Sequence, residues 1–127
     1  EYVISNGNDQ IILCERGIRT LVNELRFTLD LSVVPYLKQQ THLPIIVDPS
    51  HGTGNASLVI DMSKAAIACG VDGLLIEAHI RPQESKSDAA QTISTDELRK
   101  SLPFLAKVAE AVGRKIDGGD NEGLPRQ

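Results

Sequence analysis

The chain has no tryptophan, only two phenylalanines and two tyrosines, and aromatic residues make up 3% of its 127 positions. That is too few flat rings for a platform on which nucleic-acid bases could stack. It also has no excess of positive charge. Thirteen Lys and Arg stand against seventeen Asp and Glu, and a net charge of −4 offers no general attraction to DNA or anionic lipid. Any anion must therefore be bound locally. No apolar run approaches the roughly 18 residues of a membrane span, and no signal-peptide pattern is present. Neither a nucleic-acid nor a membrane partner is expected. The two cysteines, Cys14 and Cys69, both lie in apolar runs and read as buried free thiols, which suits a reducing, cytoplasmic compartment. The sequon Asn55-Ala56-Ser57 then reads as chance.

What remains is a composition of 41% apolar and 24% charged residues, ordinary for a globular protein. The length suffices for one domain with a core, yet a complete (β/α)₈ barrel needs roughly 250 residues. Residues 1–10 run through Ser5-Asn6-Gly7-Asn8, the Gly/Asn stop of a helix, as though the chain began partway through a βα unit. Three apolar runs then predict strands at Ile11–Cys14, Pro44–Asp48 and Gly73–Ala78. Helices are predicted from Ser32, with Pro35 in the first turn, and along the stripe Leu58, Met62, Ala65, Cys69 with Gly70 as the stop. A last helix opens on the capping box Ser94-Thr95-Asp96-Glu97 and carries the stripe Leu98, Leu102, Leu105, Ala109, Val112, with a kink or break expected at Pro103. Residues 1–116 read as one unit; 117–127, DGGDNEGLPRQ, read as a disordered tail.

The strands are continuous apolar runs rather than alternating ones, which predicts parallel strands covered on both faces. Three βα units do not close a barrel. The expected fold is α/β, either a small open parallel sheet or one part of a larger (β/α)₈ barrel.

Two of these runs end abruptly in polar side chains. Ile45-Ile46-Val47 delivers Asp48 and then His51; Leu74-Leu75-Ile76 delivers Glu77 and His79, with Asp88 in the next loop. Side chains at the C-terminal tips of parallel strands are where β/α barrels place their active sites. One imidazole and two carboxylates, from His51, Glu77 and Asp88, suit a first-row divalent ion. The residues alone also allow a capping role for His51 and solvated loop charges for the two acids. Arg16 is either an anion-binding guanidinium or a surface side chain paired with Glu15 or Asp48. Arg19 stands close by and fits either an anion or the surface of the following helix. Gly52 and Gly54 allow backbone to approach a ligand, although a turn is their commoner use. His79 is a candidate support for the His51 cluster, and His42, beside Pro44, reads as solvated.

A resemblance becomes specific at Ile12–Thr20 (ILCERGIRT), Thr28–Ser32 (TLDLS), Val47–His51 (VDPSH), and the IEAH and SDAAQ stretches. Together they resemble the class I 3-deoxy-D-arabino-heptulosonate 7-phosphate (DAHP) synthases, in the microbial subgroup related to 3-deoxy-D-manno-octulosonate 8-phosphate (KDO8P) synthase, over residues 1–115. The resemblance implies the second of the two folds, an α/β chain that is the C-terminal portion of a (β/α)₈ TIM barrel, with these strands as its last three. It implies that His51, Glu77 and Asp88 ligate a divalent metal (Mn²⁺, Fe²⁺, Zn²⁺ or Co²⁺), together with a Cys that neither Cys14 nor Cys69 matches. Arg16, with Arg19 as possible help, would bind the phosphate of phosphoenolpyruvate. The implied reaction is a condensation of phosphoenolpyruvate with erythrose 4-phosphate, the entry step of the shikimate route to aromatic amino acids, in a homo-oligomer or in association with the rest of the barrel. The alternatives are KDO8P synthase, acting on arabinose 5-phosphate, and a non-catalytic barrel segment. Against the family's usual pattern, Gly52 stands in place of Ala, Asn55-Ala56 in place of an Arg pair, and Ala89 in place of Gly.

Overall fold

The computed structural model describes residues 2–22 and 25–117. The expected tail of 117–127 lies, but for Asp117, outside the described residues. A four-residue helix α1 (Tyr2–Ser5) opens the chain and stops at Asn6-Gly7, with Gly7 at positive φ. Three strands follow, β1 (Leu13–Glu15), β2 (Ile45–Val47) and β3 (Gly73–Leu74), all parallel and in the order β1-β2-β3. Leu13 stands opposite Ile45, Cys14 opposite Ile46, and Ile46 opposite Gly73.

Helices connect the strands and cover one face of this sheet. Helix α2 (Val33–Gln40) follows its N-cap Ser32, and α4 (Ala56–Ala68) follows Asn55, whose side chain accepts from the Ser57 amide. Val34 of α2, Ala66 of α4, Ile45, Val47 and Val71 form the main core, all buried. Each aliphatic side chain of that size contributes on the order of 1.5–3 kcal/mol by leaving water. A second cluster joins α4 to α5 (Thr95–Ala111) through Ile67, Leu105 and Ala109.

Five expectations need correction. The opposite sheet face is open among the described residues: Ile12, Cys14 and Leu75 are exposed and Ile46 half-buried. Cys14 is therefore an exposed thiol and Cys69 a half-buried one that packs on the main core. An unbroken apolar run states that both faces want cover, not that this chain supplies it. Burial on α4 falls on Val59, Ser63, Ala66 and Ile67, one residue round from the expected stripe, because the helix faces both the sheet and α5. Of the kink or break expected at Pro103, the break does not occur: α5 continues through it. Pro103 lies on the exposed side, where water can take the carbonyl its missing amide leaves free.

The third strand is also shorter than expected. Its Leu75 amide donates to the Val47 carbonyl, but β2 then ends at Pro49, the start of the short helix α3 (Pro49–Thr53). With no ladder left to follow, the chain shifts to a second small parallel sheet, β4 (Ala78–His79) with β5 (Ile93–Ser94). Between them lie a 3₁₀ turn at Pro82–Glu84 and the Asp88 loop.

Candidate metal and anion site

The site forms where β1, β2 and β3 end. Asp48 caps α3, and its fully buried carboxylate makes two contacts with one residue. Oδ1 accepts the His51 backbone N–H at 2.9 Å, and Oδ2 lies 2.7 Å from His51 Nδ1. A carboxylate only accepts, so Nδ1 carries the proton and the Nε2 lone pair faces away from Asp48. There it meets Glu77 Oε1 at 3.2 Å and Asp88 Oδ2 at 3.7 Å.

Three lone-pair atoms aimed at one another repel unless a cation or a further proton lies among them. One ligand atom from each of His51, Glu77 and Asp88 lies within 4.8 Å of the others. Donors bound about 2.1 Å from a divalent ion sit about 3–3.5 Å apart when adjacent, so the two separations from His51 Nε2 are close to those of a shared ion. The set of one nitrogen and two oxygens suits Mn²⁺, Fe²⁺, Co²⁺ or Zn²⁺. The residues fit a metal.

Each acid is held from behind. The Glu77 amide donates to Ser50 Oγ at 2.9 Å, and the Glu77 carbonyl accepts from Ile93. Asp88 adopts φ +54°, the single positive-φ residue other than glycine among those described, and its carbonyl accepts from the Gln91 amide and the Thr92 hydroxyl.

Arg16 follows β1, and its Nε lies 3.5 Å from Asp48 Oδ2. The next residue brings the two strand ends together. Gly17 has φ +80°, and a Cβ there would lie 2.9 Å from the Gly52 Cα. A Cβ on Gly52 would in turn run into the Leu29 side chain. Gly52 thus serves close packing and Gly54 closes α3, so neither reads as a phosphate cradle. Glu15 ties down the same loop by accepting from the Gly17 and Asp30 amides. The resulting open cavity, about 380 Å³, is lined by Arg16, Gly17, Arg26, Phe27, His51 and Asp88. Two guanidinium side chains and two members of the metal-competent cluster, His51 and Asp88, thus share one cavity.

The family model described as "DAHP synthetase I family" matches residues 1–114. The chain belongs to the DAHP synthetase I family. A family relative from Thermotoga maritima, phospho-2-dehydro-3-deoxyheptonate aldolase, is 44% identical over 117 residues, spanning 92% of this chain and 35% of its own. A 2-dehydro-3-deoxyphosphooctonate aldolase from Francisella tularensis subsp. novicida is 34% identical over 119 residues, spanning 85% of this chain and 42% of its own. A solved structure, a truncated 3-deoxy-D-arabino-heptulosonate 7-phosphate synthase from Thermotoga maritima, matches with a TM-score of 0.88 at 44% identity, over 91% of this chain and 44% of that one. The chain thus spans less than half the length of these relatives. Its sheet and helices are part of a β/α barrel, as the resemblance implied.

The other sequence candidates fall outside the cluster. Arg19 is exposed and is not among the described residues lining the cavity. His79 is exposed too; its Nδ1 sits between the carbonyl and amide of Arg81, at 2.8 and 3.1 Å, rather than supporting His51. His42 is exposed, as expected. Sequence reasoning missed Arg26, Ser50 and Gln91, and named Asp48 only as a partner for Arg16, a pairing the structure contains at 3.5 Å. Only Asp48 left a signal: an Asp before Pro, three residues ahead of the His, is an N-cap pattern that turns the His back onto its own cap.

No helix of the described residues is long and apolar enough to cross a membrane.

Proposed function

We propose that this chain supplies the metal ligands and the phosphoenolpyruvate-phosphate site of an enzyme that condenses phosphoenolpyruvate with erythrose 4-phosphate. The products would be DAHP and inorganic phosphate, at the entry to aromatic amino-acid biosynthesis in the cytoplasm. The observation that carries this reading is the convergence of His51 Nε2 with Glu77 and Asp88 beside Arg16, in a chain 44% identical to a phospho-2-dehydro-3-deoxyheptonate aldolase.

A divalent ion, when bound, supplies Lewis-acid polarisation of the aldehyde oxygen. This chain's own residues do the rest of the positioning. Asp48 fixes the His51 ring with Nε2 toward the two acids, so the ligand set is ordered before the ion arrives. Arg16 binds the phosphate of phosphoenolpyruvate and offsets its charge, and its planar guanidinium suits a phosphate's geometry. Arg26 adds a second cation to the lining of the cavity. With the phosphate so held, C3 of phosphoenolpyruvate bonds to the aldehyde carbon, whose oxygen takes the C=O pair and then a proton from the water that adds at C2. The new C2 hydroxyl gives its proton to the departing phosphate as the C2–O bond breaks and the ketone forms. The open sheet face would be covered in the complete enzyme by other barrel strands or by association.

The arabinose 5-phosphate reaction is the neighbouring possibility, since 34% identical relatives are named for the eight-carbon product. Phosphoenolpyruvate consumption by the complete gene product, with added Mn²⁺ and either sugar phosphate, separates the two. Faster consumption with erythrose 4-phosphate is expected. A preference for arabinose 5-phosphate would replace this reading with the eight-carbon one, and consumption with neither sugar by folded protein would leave a non-catalytic segment.

A further inference from the structure

Gln91 is fully buried, yet it is neither a core residue nor a well-satisfied polar one. Its Nε2 donates to Glu77 Oε2 at 3.4 Å, while its Oε1 has no hydrogen-bond partner. The orientation of this amide follows from its neighbour, because a carboxylate can only accept and the nitrogen must therefore face Glu77. A buried carbonyl left without a partner is unfavourable, so packing alone would be better served by an apolar side chain of the same length.

The backbone of the same residue reaches the other acid of the cluster. The Gln91 N–H donates to the Asp88 carbonyl at 3.1 Å, and the Thr92 hydroxyl donates to the same oxygen at 2.9 Å. These bonds close the loop in which Asp88 takes its positive φ. Two residues further on, the Ile93 amide bonds the Glu77 carbonyl and starts the β4–β5 pairing. One short segment therefore fixes both acids, and Gln91 is its buried centre.

We propose that Gln91 is a positioning residue for the metal centre. Its side chain orients the Glu77 carboxylate and its backbone holds the Asp88 loop, so that both oxygens meet His51 Nε2 before an ion binds. This rests on the metal reading of the cluster given above. Residues that hold metal ligands in place commonly change affinity by about 10- to 100-fold when lost.

The test is a Mn²⁺ titration of chelator-treated complete gene product, followed by electron paramagnetic resonance of free and bound ion, with thermal unfolding of the metal-free protein alongside. Gln91→Met removes the amide at nearly constant length; Gln91→Asn keeps an amide too short to reach Glu77 and serves if the first variant does not fold. Both should weaken Mn²⁺ binding about 10- to 100-fold and alter the bound-ion line shape, with little change in metal-free unfolding. Unchanged affinity and line shape in a folded variant would overturn the role of Gln91. A fall in metal-free unfolding temperature with Mn²⁺ affinity intact would likewise overturn it, in favour of a packing role. A wild-type protein that binds no Mn²⁺, Fe²⁺, Co²⁺ or Zn²⁺ would instead overturn the metal reading itself.

Discussion

Asp48 holds His51 at both ends, with one carboxylate oxygen on its backbone N–H at 2.9 Å and the other 2.7 Å from its ring Nδ1. The same carboxylate lies 3.5 Å from Arg16 Nε. One buried acid therefore touches both the proposed metal ligand and the proposed phosphate binder. Replacing it should disturb each function separately. Asp48→Asn retains an oxygen for the α3 cap but presents either an amide oxygen or an NH₂ to Nδ1, and the ring loses its fixed tautomer. Divalent-metal affinity is expected to fall roughly 10- to 100-fold. Calorimetric titration of chelator-treated protein measures it, and unchanged affinity would show that Asp48 serves only as a cap.

Arg16 has 57% of its side chain exposed, so little of its worth is structural. Arg16→Lys keeps the charge and loses the planar fork. The KM for phosphoenolpyruvate should rise about tenfold or more, the loss expected for a charged hydrogen bond, while the KM for the sugar phosphate and the unfolding temperature stay close to wild type. Steady-state kinetics with each substrate varied in turn makes the comparison, and a rise confined to the sugar phosphate would assign Arg16 to the wrong substrate.

Gly17 accounts for the close approach of the two strand ends. Gly17→Ala combines a positive φ with a Cβ placed 2.9 Å from the Gly52 Cα and 3.2 Å from the Phe27 Cβ, neither of which is the flexible end of a side chain. A loss of about 2–4 kcal/mol is expected in urea unfolding, together with weaker phosphoenolpyruvate binding, because Arg16 would move with its neighbour. Gly113→Ala, where a Cβ meets open space, should cost far less despite its φ of +74°.

Asp72 gives the fold a pH dependence remote from the site. It precedes β3 and accepts from Lys38 of α2, from Arg114 beyond α5, and from the Ile45 amide. Burial alone would raise its pKa, but these bonds outweigh that and lower it from 3.8 to about 2. A carboxyl with a depressed folded pKa stabilises the native state above its unfolded pKa. Its contribution should therefore be complete above about pH 4 and disappear as the pH falls toward 2, amounting to on the order of 1–2 kcal/mol after allowance for the partly exposed partners. Urea unfolding of wild type and Asp72→Asn across that range checks it: the two stability curves should converge at low pH, and a constant gap would refute the assignment.

The elements legible in the sequence were those whose signals are local. Pro49 ends β2, Gly7 ends α1, and Ser94 caps α5 through the Glu97 amide. What was not legible depends on partners distant in sequence. The third strand stops early because its neighbour β2 turns into α3, and Ile93-Ser94 is a strand only because Ala78-His79 lies beside it. The open sheet face and the exposed Cys14 follow from what does or does not cover the strands, which an apolar run cannot state. His51 and Glu77 were visible because each lies just past the end of an apolar run, and the resemblance joined Asp88 to them as a ligand set. Gln91 and Arg26 belong to no periodic pattern, and only the fold brings them to the site.

The central claim is a divalent-metal centre on His51, Glu77 and Asp88 that the condensation requires. The most direct measurement is phosphate release from phosphoenolpyruvate and erythrose 4-phosphate by chelator-treated complete gene product, before and after Mn²⁺, for wild type and His51→Ala. The expected result is release by wild type only after Mn²⁺ is restored, with none above background from His51→Ala. Equal release with and without metal, or full activity in His51→Ala, would contradict the account.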